Sequence, residues 1–211
     1  MRYYPLFLDL QARRCLVIGG GTVAERKVLS LLEAGARVAV VSPSATPRLR
    51  ELAGEGKIEL QQRVVQDQDL EGAALVFAAT DSPEVNASSA ALCRAKNIPV
   101  NVASPPEEST FIVPSAVARG ELLIAVSTSG ASPALSRKIR KELEERYGPE
   151  YGAFLELLGK LRKELPGQVR NEQERRRIYD AVVESDVLEL LRQGRTEDAE
   201  KRLRKITGLK N

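Results

Sequence analysis

Short apolar runs alternate with longer amphipathic stretches over the first hundred residues of the chain. Four runs have the length and composition of buried strands, at residues 15–18, 38–41, 75–79 and 99–102. Helical periodicity fills the gaps between them, at residues 22–34, 47–53 and 83–96. Strands that alternate with helices in this way predict βαβ units around a parallel sheet. The predicted fold class is therefore α/β, with a doubly wound parallel sheet of the Rossmann type.

The pattern changes after the proline pair at positions 105 and 106. Two shorter runs, at residues 111–113 and 122–126, predict strands on either side of a turn near Gly120. A helix is predicted to begin at Ser132 and Pro133, because serine caps a helix N-terminus and proline fits its first turn. This segment is predicted to be a small α+β region.

The last sixty residues are rich in charge and helical in period. We expect breaks between helices at Pro166-Gly167 and at Gly194. The whole pattern predicts three parts: an α/β domain over residues 1–113, an α+β region over 114–147 and a helical domain over 148–211.

Composition narrows the class of protein. The chain has 211 residues, of which 43% are hydrophobic and 29% charged, as in ordinary globular proteins. The sequence shows neither an apolar run of membrane-spanning length nor the pattern of a secretory signal at its start, so we expect a cytoplasmic protein without a membrane partner. A net charge of +3 is too small to indicate a nucleic-acid partner.

Cysteine and histidine usage limits the available chemistry. Cys15 and Cys93 lie far apart within apolar segments, which predicts two inert buried thiols rather than a disulfide framework. The chain contains no histidine, so a metal site would have to consist of carboxylates alone, and none is predicted. Acid or base catalysis then falls to Asp, Glu, Lys, Tyr or a polarised hydroxyl.

A glycine motif follows the first predicted strand directly. Residues 19–24, Gly-Gly-Gly-Thr-Val-Ala, fit the pattern G-x-G-x-x-A at the start of a helix. The first glycine permits a tight turn, the second lets the backbone approach a pyrophosphate, and the helix N-terminus presents free N–H groups to the anion. We therefore predict NAD as cofactor, with these cofactor-binding residues: Gly19, Gly21, Thr22 and Val23.

Two further strand ends contribute candidate cofactor contacts. The second strand ends at Ser42 where many dinucleotide sites have an acid, and a serine hydroxyl is also able to bind a ribose. No arginine stands beside Ser42 to receive the extra phosphate of NADP, which favours NAD. Thr80 and Asp81 end another strand at the predicted ligand edge, where they either flank the cofactor or cap the next helix.

A hydroxyl-rich turn precedes the helix that begins near Pro133. Residues 127–132 combine four hydroxyl side chains with Gly130, a composition typical of an anion-binding turn. Arg137 and Lys138 follow on the helix and add positive charge for an acidic substrate. The alternative from the residues alone is a surface helix whose basic side chains are solvated.

Four stretches carry a family pattern: Gly19-Gly20-Gly21-x-Val23-Ala24-x-Arg26-Lys27; Ala78-Ala79-Thr80-Asp81 with Asn86; Phe111-Ile112-x-Pro114-Ser115; and Ser127-x-x-Gly130-x-Ser132-Pro133. Together with residues 4–10, they resemble the precorrin-2 dehydrogenases of sirohaem synthesis over about the first 145 residues. The resemblance implies NAD-dependent dehydrogenation of precorrin-2 to sirohydrochlorin. It also implies a homodimer that joins after about Pro114, which makes residues 114–147 a dimerisation region and residues 1–113 the NAD-binding domain.

The implied tetrapyrrole carries eight carboxylate side chains, which gives the basic helix and its turn a specific role. The residues expected to bind this substrate are Arg119, Ser127, Thr128, Ser129, Gly130, Ser132, Arg137 and Lys138.

The chain departs from the family pattern at position 104. Well-known bifunctional members have an aspartate after the strand Asn-Val-x, whereas here Ser104 follows, and a neutral hydroxyl is a poor base. Either Glu107 or Glu108 is expected to compensate, or else a substrate carboxylate or water accepts the proton. With Ser104, the two glutamates form the predicted catalytic set. Two alternatives stay open: a bifunctional dehydrogenase and ferrochelatase, or a non-catalytic NAD-binding regulator. A separate chelatase as partner also stays open.

Overall fold

The computed structural model of the chain describes residues 3–209. Those parts of the predicted terminal domains that fall on residues 1, 2, 210 and 211 lie outside the described residues. The chain forms two compact units, one up to Val113 and the other from Pro114 onward.

The described residues of the first unit form five strands and three α-helices, with 3₁₀ turns at Asp67–Leu70 and Pro106–Glu108. In chain order they are β1 (Arg14–Ile18), α1 (Thr22–Glu33), β2 (Arg37–Val41), α2 (Pro47–Gly54), β3 (Ile58–Gln61), β4 (Leu75–Ala78), α3 (Pro83–Ala95) and β5 (Val100–Val102). All neighbouring strands are parallel, and their order across the sheet is β3-β2-β1-β4-β5. The predicted Rossmann-type fold class is confirmed.

Alternate residues of each strand face opposite layers of this unit. Val17 and Val40 face α1 and α2, whereas Leu16 and Ala39 face α3. Because both faces of the central strands are covered, β4 is a continuous apolar run, and so are β1 and β2 after their first residues, Arg14 and Arg37. The sequence pattern missed β3, an edge strand in which only Ile58 is fully buried, because polar residues interrupt its short run.

The second unit begins with a hairpin and ends with a helical core. Its elements are β6 (Ser115–Arg119), β7 (Leu122–Val126), α4 (Pro133–Arg146), α5 (Glu150–Gln168), α6 (Glu172–Val183), α7 (Val187–Arg192) and α8 (Thr196–Thr207). The two strands are antiparallel, with Ser115 opposite Val126. Apolar side chains from α5 to α8, among them Leu165, Val182 and Val187, form a core of their own.

Two predictions of local structure were wrong. Residues 111–113 form no strand, and β6 begins only at Ser115. Phe111 is instead an anchor: its ring lies edge-on to that of Phe77, with centroids 5.6 Å apart. Pro166 does not end its helix, since α5 continues to Gln168. A proline in the last turn removes only one hydrogen bond, and the buried Leu165 holds that turn in place.

Two further expectations, the break at Gly194 and the two buried thiols, agree with the structure. Gly194 separates α7 from α8 with a positive φ of 73°, as the predicted break requires. Both cysteines are free and fully buried, and burial raises the pKa of Cys93 to about 11, so its thiol stays protonated at neutral pH. Within residues 3–209 no helix is long and apolar enough to cross a membrane.

One buried ion pair fastens the connection between β3 and β4. Asp69 is 5% exposed, and its carboxylate accepts two hydrogen bonds from Arg63, at 2.6 and 2.7 Å, and one from the backbone N–H of Gln66 at 2.8 Å. These bonds hold the pKa of the Asp69 carboxyl below its usual value. Arg14 at the start of β1 donates to the carbonyls of Asp69 and Glu71, which ties the same turn to the sheet.

We expect Asp69→Asn to lower the free energy of unfolding at pH 7 by about 2 kcal/mol, because it removes charge-assisted bonds from a buried site. The native pKa of Asp69 is depressed, so its contribution is complete above the unfolded value of about 3.9 and is lost as the pH falls through the lower native value. Denaturant unfolding between pH 7 and pH 3 measures both effects.

The control is Asp67→Asn in the same turn, where the side chain is exposed and the loss should stay within about 0.5 kcal/mol. Equal losses for the two variants at pH 7 would contradict the role given to Asp69.

Candidate active site

Four strand ends meet at one edge of the parallel sheet. Ile18, the last residue of β1, is in register with Val41 of β2 and Ala78 of β4, and Ala78 is in register with Val102 of β5. The loops that follow these strands therefore leave the sheet side by side. Ligands of open α/β folds bind at this carboxyl edge.

The glycine loop after β1 is shaped by close backbone contacts. Gly19 has a φ of +120°, and a Cβ on it would lie 2.3 Å from the carbonyl oxygen of Ala79. A Cβ on Gly20 would lie 2.0 Å from the carbonyl oxygen of Ser44. Both positions therefore require glycine for the fold itself, whatever the loop binds.

Gly21 differs from the other two glycines because nothing lies within 4 Å of the position that its Cβ would occupy. Its φ of −81° is open to any residue, so neither strain nor packing demands glycine there. Gly21 is also the N-cap of α1 and provides no side-chain cap, whereas Thr46 and Ser82 cap α2 and α3 of the same unit. The open space and the uncapped N–H groups fit a pyrophosphate. Thr22 and Val23 form the first turn of that helix.

The loop after β2 folds back against the glycine loop. The backbone N–H of Thr46 donates to the carbonyl of Gly20 at 2.9 Å, and Ser42 is buried at 7% exposure beside the same glycine. Ser42 thus lies where the sequence analysis expects a ribose contact. The structure also brings the guanidinium of Arg50 to this loop, where Nη1 donates to the carbonyl of Ala45 at 2.5 Å.

Asn86 joins the loops that follow β4 and β5. Its side chain is 1% exposed, and Oδ1 lies 3.1 Å from the backbone N of Thr80 and 2.8 Å from the Thr80 hydroxyl. Nδ2 donates to the carbonyl of Thr80 at 3.1 Å and to that of Ser104 at 3.0 Å. One buried amide therefore fixes a candidate cofactor residue and a candidate catalytic residue to each other.

The N-terminus of α3 distinguishes between the two interpretations of Thr80 and Asp81, as cofactor contacts or as helix caps. Ser82 is the N-cap of α3, since its hydroxyl accepts the N–H of Val85 at 3.2 Å. The Thr80 hydroxyl instead faces Asn86 within the turn, and Asp81 is exposed. Neither residue caps the helix, so the capping alternative for this pair is wrong.

The candidate catalytic residues lie on the loop after β5. Ser104 is exposed, and its carbonyl is held by Asn86. Glu108 forms an ion pair with Arg94 at 2.5 Å, and the same arginine donates to the Glu108 carbonyl at 3.0 Å. Glu107 is exposed and has no hydrogen-bonding or ionic partner among residues 3–209. Of the two glutamates, Glu107 is thus the one with a free carboxylate.

In the second unit, the hydroxyl-rich turn is organised by its own hydrogen bonds. Thr128 Oγ1 lies 3.1 Å from the backbone N of Ser132 and 3.0 Å from the hydroxyl of the buried Ser136. Ser132 caps α4, as predicted, by accepting the N–H of Leu135 at 3.2 Å. These hydroxyls therefore hold the turn and the start of the helix in shape.

The tip of the same turn is open to solvent. Ser127 accepts the backbone N–H of Ser129 at 3.0 Å, and Ser129 and Gly130 have positive φ values of 55° and 88°. Both residues are exposed. The Ala131 N–H donates to the carbonyl of Thr128 at 2.9 Å, which closes a tight turn with Ser129 and Gly130 at its tip.

The three candidate cations of the second unit differ in availability. Arg119 donates to the backbone carbonyls of Ala118, Glu144 and Tyr147 at 2.9 to 3.3 Å, which makes it a brace between β6 and the end of α4. Lys138 lies 3.8 Å from Glu142 and is 74% exposed. Arg137 is exposed and has no ionic or hydrogen-bonding partner within the described part of the chain. Arg137 is therefore the most available of the three.

Sequence reasoning assigned no role to three residues that shape this edge: Gly20, Asn86 and Arg50. For Asn86 a signal existed, because helical spacing puts it on the same face as Ala90 and Cys93, which are both fully buried. An amide on a buried helix face must find partners. For Arg50 no local signal existed, since its contact with the loop depends on how α2 is placed.

Three family models match successive parts of the chain. The model described as "Putative NAD(P)-binding" matches residues 6–115, which is more than half of the chain. The model of the sirohaem biosynthesis protein central region matches residues 119–146. The model of the sirohaem synthase dimerisation region matches residues 150–206, within the segment that the sequence analysis describes as a helical domain.

Relatives match nearly the whole chain. The siroheme synthase of Methylococcus capsulatus is 41% identical over 201 residues, covering 95% of this chain and 42% of that protein. The siroheme synthase of Thioalkalivibrio sulfidiphilus is 40% identical over 211 residues, covering 99% of this chain and 43% of that protein. The chain thus spans less than half the length of these relatives. A solved structure described as SirC, precorrin-2 dehydrogenase, is 26% identical with a TM-score of 0.75, over 96% of this chain and all of that one.

We expect Gly21→Ala to leave the fold stable and to weaken NADH binding by about tenfold or more, because the added methyl fills only the space open to the cofactor. Thermal unfolding and a fluorescence titration with NADH measure the two effects. The matched control is Gly20→Ala, whose Cβ meets the backbone of Ser44 and should destabilise the fold itself. A Gly21→Ala variant that binds NADH like the parent chain would show that the open space is not the pyrophosphate site.

We expect Asn86→Ala to lower the free energy of unfolding by about 3 kcal/mol, since it removes the buried amide that bonds to Thr80 and to the carbonyl of Ser104. Denaturant unfolding provides the measurement. Ser88→Ala, an exposed position on the same helix, should change stability by at most about 0.5 kcal/mol. Indistinguishable losses in the two variants would show that the amide does not join the loops.

Proposed function

The chain belongs to the family of precorrin-2 dehydrogenases and sirohaem synthases, and we propose that it catalyses the NAD-dependent dehydrogenation of precorrin-2 to sirohydrochlorin. The observation that carries the proposal is the arrangement at the carboxyl edge of the sheet. An open glycine loop and a loop with a free carboxylate follow strands of the same sheet, and Asn86 fixes the second loop to the end of β4.

The glycine loop provides the cofactor site of the proposal. Its backbone and the uncapped start of α1 bind the pyrophosphate, and Ser42 lies beside the loop as a contact for the ribose. When bound, NAD accepts the hydride that leaves the substrate carbon. Asn86 keeps the turn at Thr80 and the loop at Ser104 rigid, so the contribution of these residues is to position the reacting groups.

Loss of a hydride together with a proton forms the new double bond, so the proton needs an acceptor. Ser104 has a neutral hydroxyl, which is a weak base without a partner. The carboxylate of Glu108 is already bonded to Arg94. We assign the proton to the carboxylate of Glu107, which is exposed on the same loop.

The second unit supplies the proposed contacts to the substrate carboxylates. Arg137 and Lys138 are exposed in the second turn of α4 and are the proposed partners of these carboxylates, next to the exposed turn at Ser129 and Gly130. Arg119 supports this region as a brace. The match to the dimerisation region supports a homodimer, and a cytoplasmic location remains a prediction.

Anaerobic turnover of enzymatically generated precorrin-2 tests the proposal, with sirohydrochlorin absorbance and NADH formation as readouts and iron omitted. We expect equal amounts of both products, in a reaction that requires the cofactor. Glu107→Gln should lower kcat by about 100-fold because it removes the base, with little change in KM. Glu108→Gln is the matched control and should keep a kcat close to that of the parent chain.

Other outcomes separate the alternatives. Binding of NAD without turnover, with activity appearing only in Ser104→Asp, would identify a binding protein descended from an enzyme and would refute the proposal. If Glu107→Gln and the parent chain had the same kcat, the base would have to be assigned elsewhere. Iron insertion above a no-enzyme control, measured in a second step, would add chelation to the activity.

A further inference from the structure

The loop after β2 is where a dinucleotide site distinguishes NAD from NADP, because it faces the adenosine ribose. In this chain residues 42–46 form that loop, and they lie directly against the glycine loop through the bond from Thr46 N–H to the Gly20 carbonyl. The ribose of a cofactor held by the glycine loop therefore meets this segment. This inference rests on the proposed function for the cofactor's location.

The loop lacks the group that usually rejects NADP. Many NAD sites have an acid at the end of β2, which bonds to the ribose hydroxyls and repels a 2′-phosphate. Residues 41–50 contain no carboxylate and two arginines, Arg48 and Arg50. Within this stretch the side-chain charge is therefore positive rather than negative.

The two arginines are in different situations. Arg48 forms an ion pair with Glu51 at 2.5 Å, and this bond raises the pKa of its guanidinium. Arg50 forms no ion pair with any of residues 3–209, and its Nη1 donates to the carbonyl of Ala45 within the loop. That contact holds the guanidinium at the loop and leaves its other N–H groups available. Arg50 stands eight residues beyond Ser42 in the sequence, but it lies in the first turn of α2 and its guanidinium reaches back to the loop.

We propose that Arg50 recognises the 2′-phosphate of NADP, so that this chain binds NADP about as well as NAD. A guanidinium presents a planar set of donors that matches a phosphate, and a pair of charge-assisted bonds to it offsets the desolvation of the extra anion. The hydroxyls of Ser42 and Ser44 remain for the ribose, as with NAD. Arg50 is thus a specificity-determining residue in the adenosine part of the site.

Calorimetric titrations of the full chain with NAD and with NADP test the proposal. For the parent chain we expect the two dissociation constants to agree within about tenfold. Arg50→Gln should raise the ratio of the NADP constant to the NAD constant by about tenfold or more, as expected for loss of hydrogen bonds to a charged group. The ratio for the parent should also rise with added salt, because the interaction is between charges.

Arg48→Gln is the matched control, since it removes a positive charge from the same helix that is already paired with Glu51, and it should leave the ratio unchanged. Three results would overturn the proposal: NADP binding more than about 100-fold weaker than NAD, an unchanged ratio in Arg50→Gln, or equal changes in the two arginine variants. Failure of the proposed function looks different, because neither dinucleotide would then bind, or NAD would bind without precorrin-2 turnover.

Discussion

The parallel register of β2, β1, β4 and β5 is the constraint on which the candidate site depends. Because Ile18, Val41, Ala78 and Val102 are aligned, the ladder ends on all four strands at nearly the same level. The bonds just beyond continue that alignment, since Gly19 N–H donates to Val41 and Ala103 N–H donates to Ala78. The loops that follow these strands are distant in sequence but begin at neighbouring positions on the sheet edge. Their side chains are therefore close together. A shift of register in any strand would separate the glycine loop from the loops that carry Thr80 and Ser104.

A second constraint comes from the buried amide of Asn86. An amide inside the sheet-helix layer is costly unless its donors and acceptor are satisfied, and here each finds a backbone or hydroxyl partner. The same hydrogen bonds that offset the cost of burying the amide also fix the positions of the loops at Thr80 and Ser104. Side chains such as Glu107 can then remain exposed, because the backbone beneath them is held from the interior.

A contact at this site is predictable from the sequence when its two residues are close together along the chain, and much less so when they are far apart. The glycine motif is local, and residues 19–24 were identified with their strand and helix because neighbouring residues determine the turn. The partner of Ser104 lies 18 residues away, so helical spacing is enough to indicate that Asn86 is buried but not what it bonds to. Arg119 is expected to bind the substrate carboxylates because it is basic, whereas its bonds to backbone carbonyls involve residues that only the folded unit brings close. The strand predicted at residues 111–113 was wrong, because the apolar side chain of Phe111 packs on Phe77 although its backbone does not pair with another strand.

Ser104 stands where the bifunctional relatives described above have an aspartate. This difference is compatible with dehydrogenation, because a general base contributes less to catalysis than the positioning of the reacting groups. Correct positioning of the reacting carbon against the cofactor contributes up to about 7–11 kcal/mol, whereas a general base contributes about 3–5 kcal/mol. The positioning elements of this chain, the open loop at Gly21 and the bonds of Asn86, do not involve the side chain at position 104. Only the smaller contribution is affected by the serine, and a nearby carboxylate is able to restore part of it. From the order of these magnitudes, we expect a dehydrogenase with serine at this position to keep the larger part of its rate acceleration.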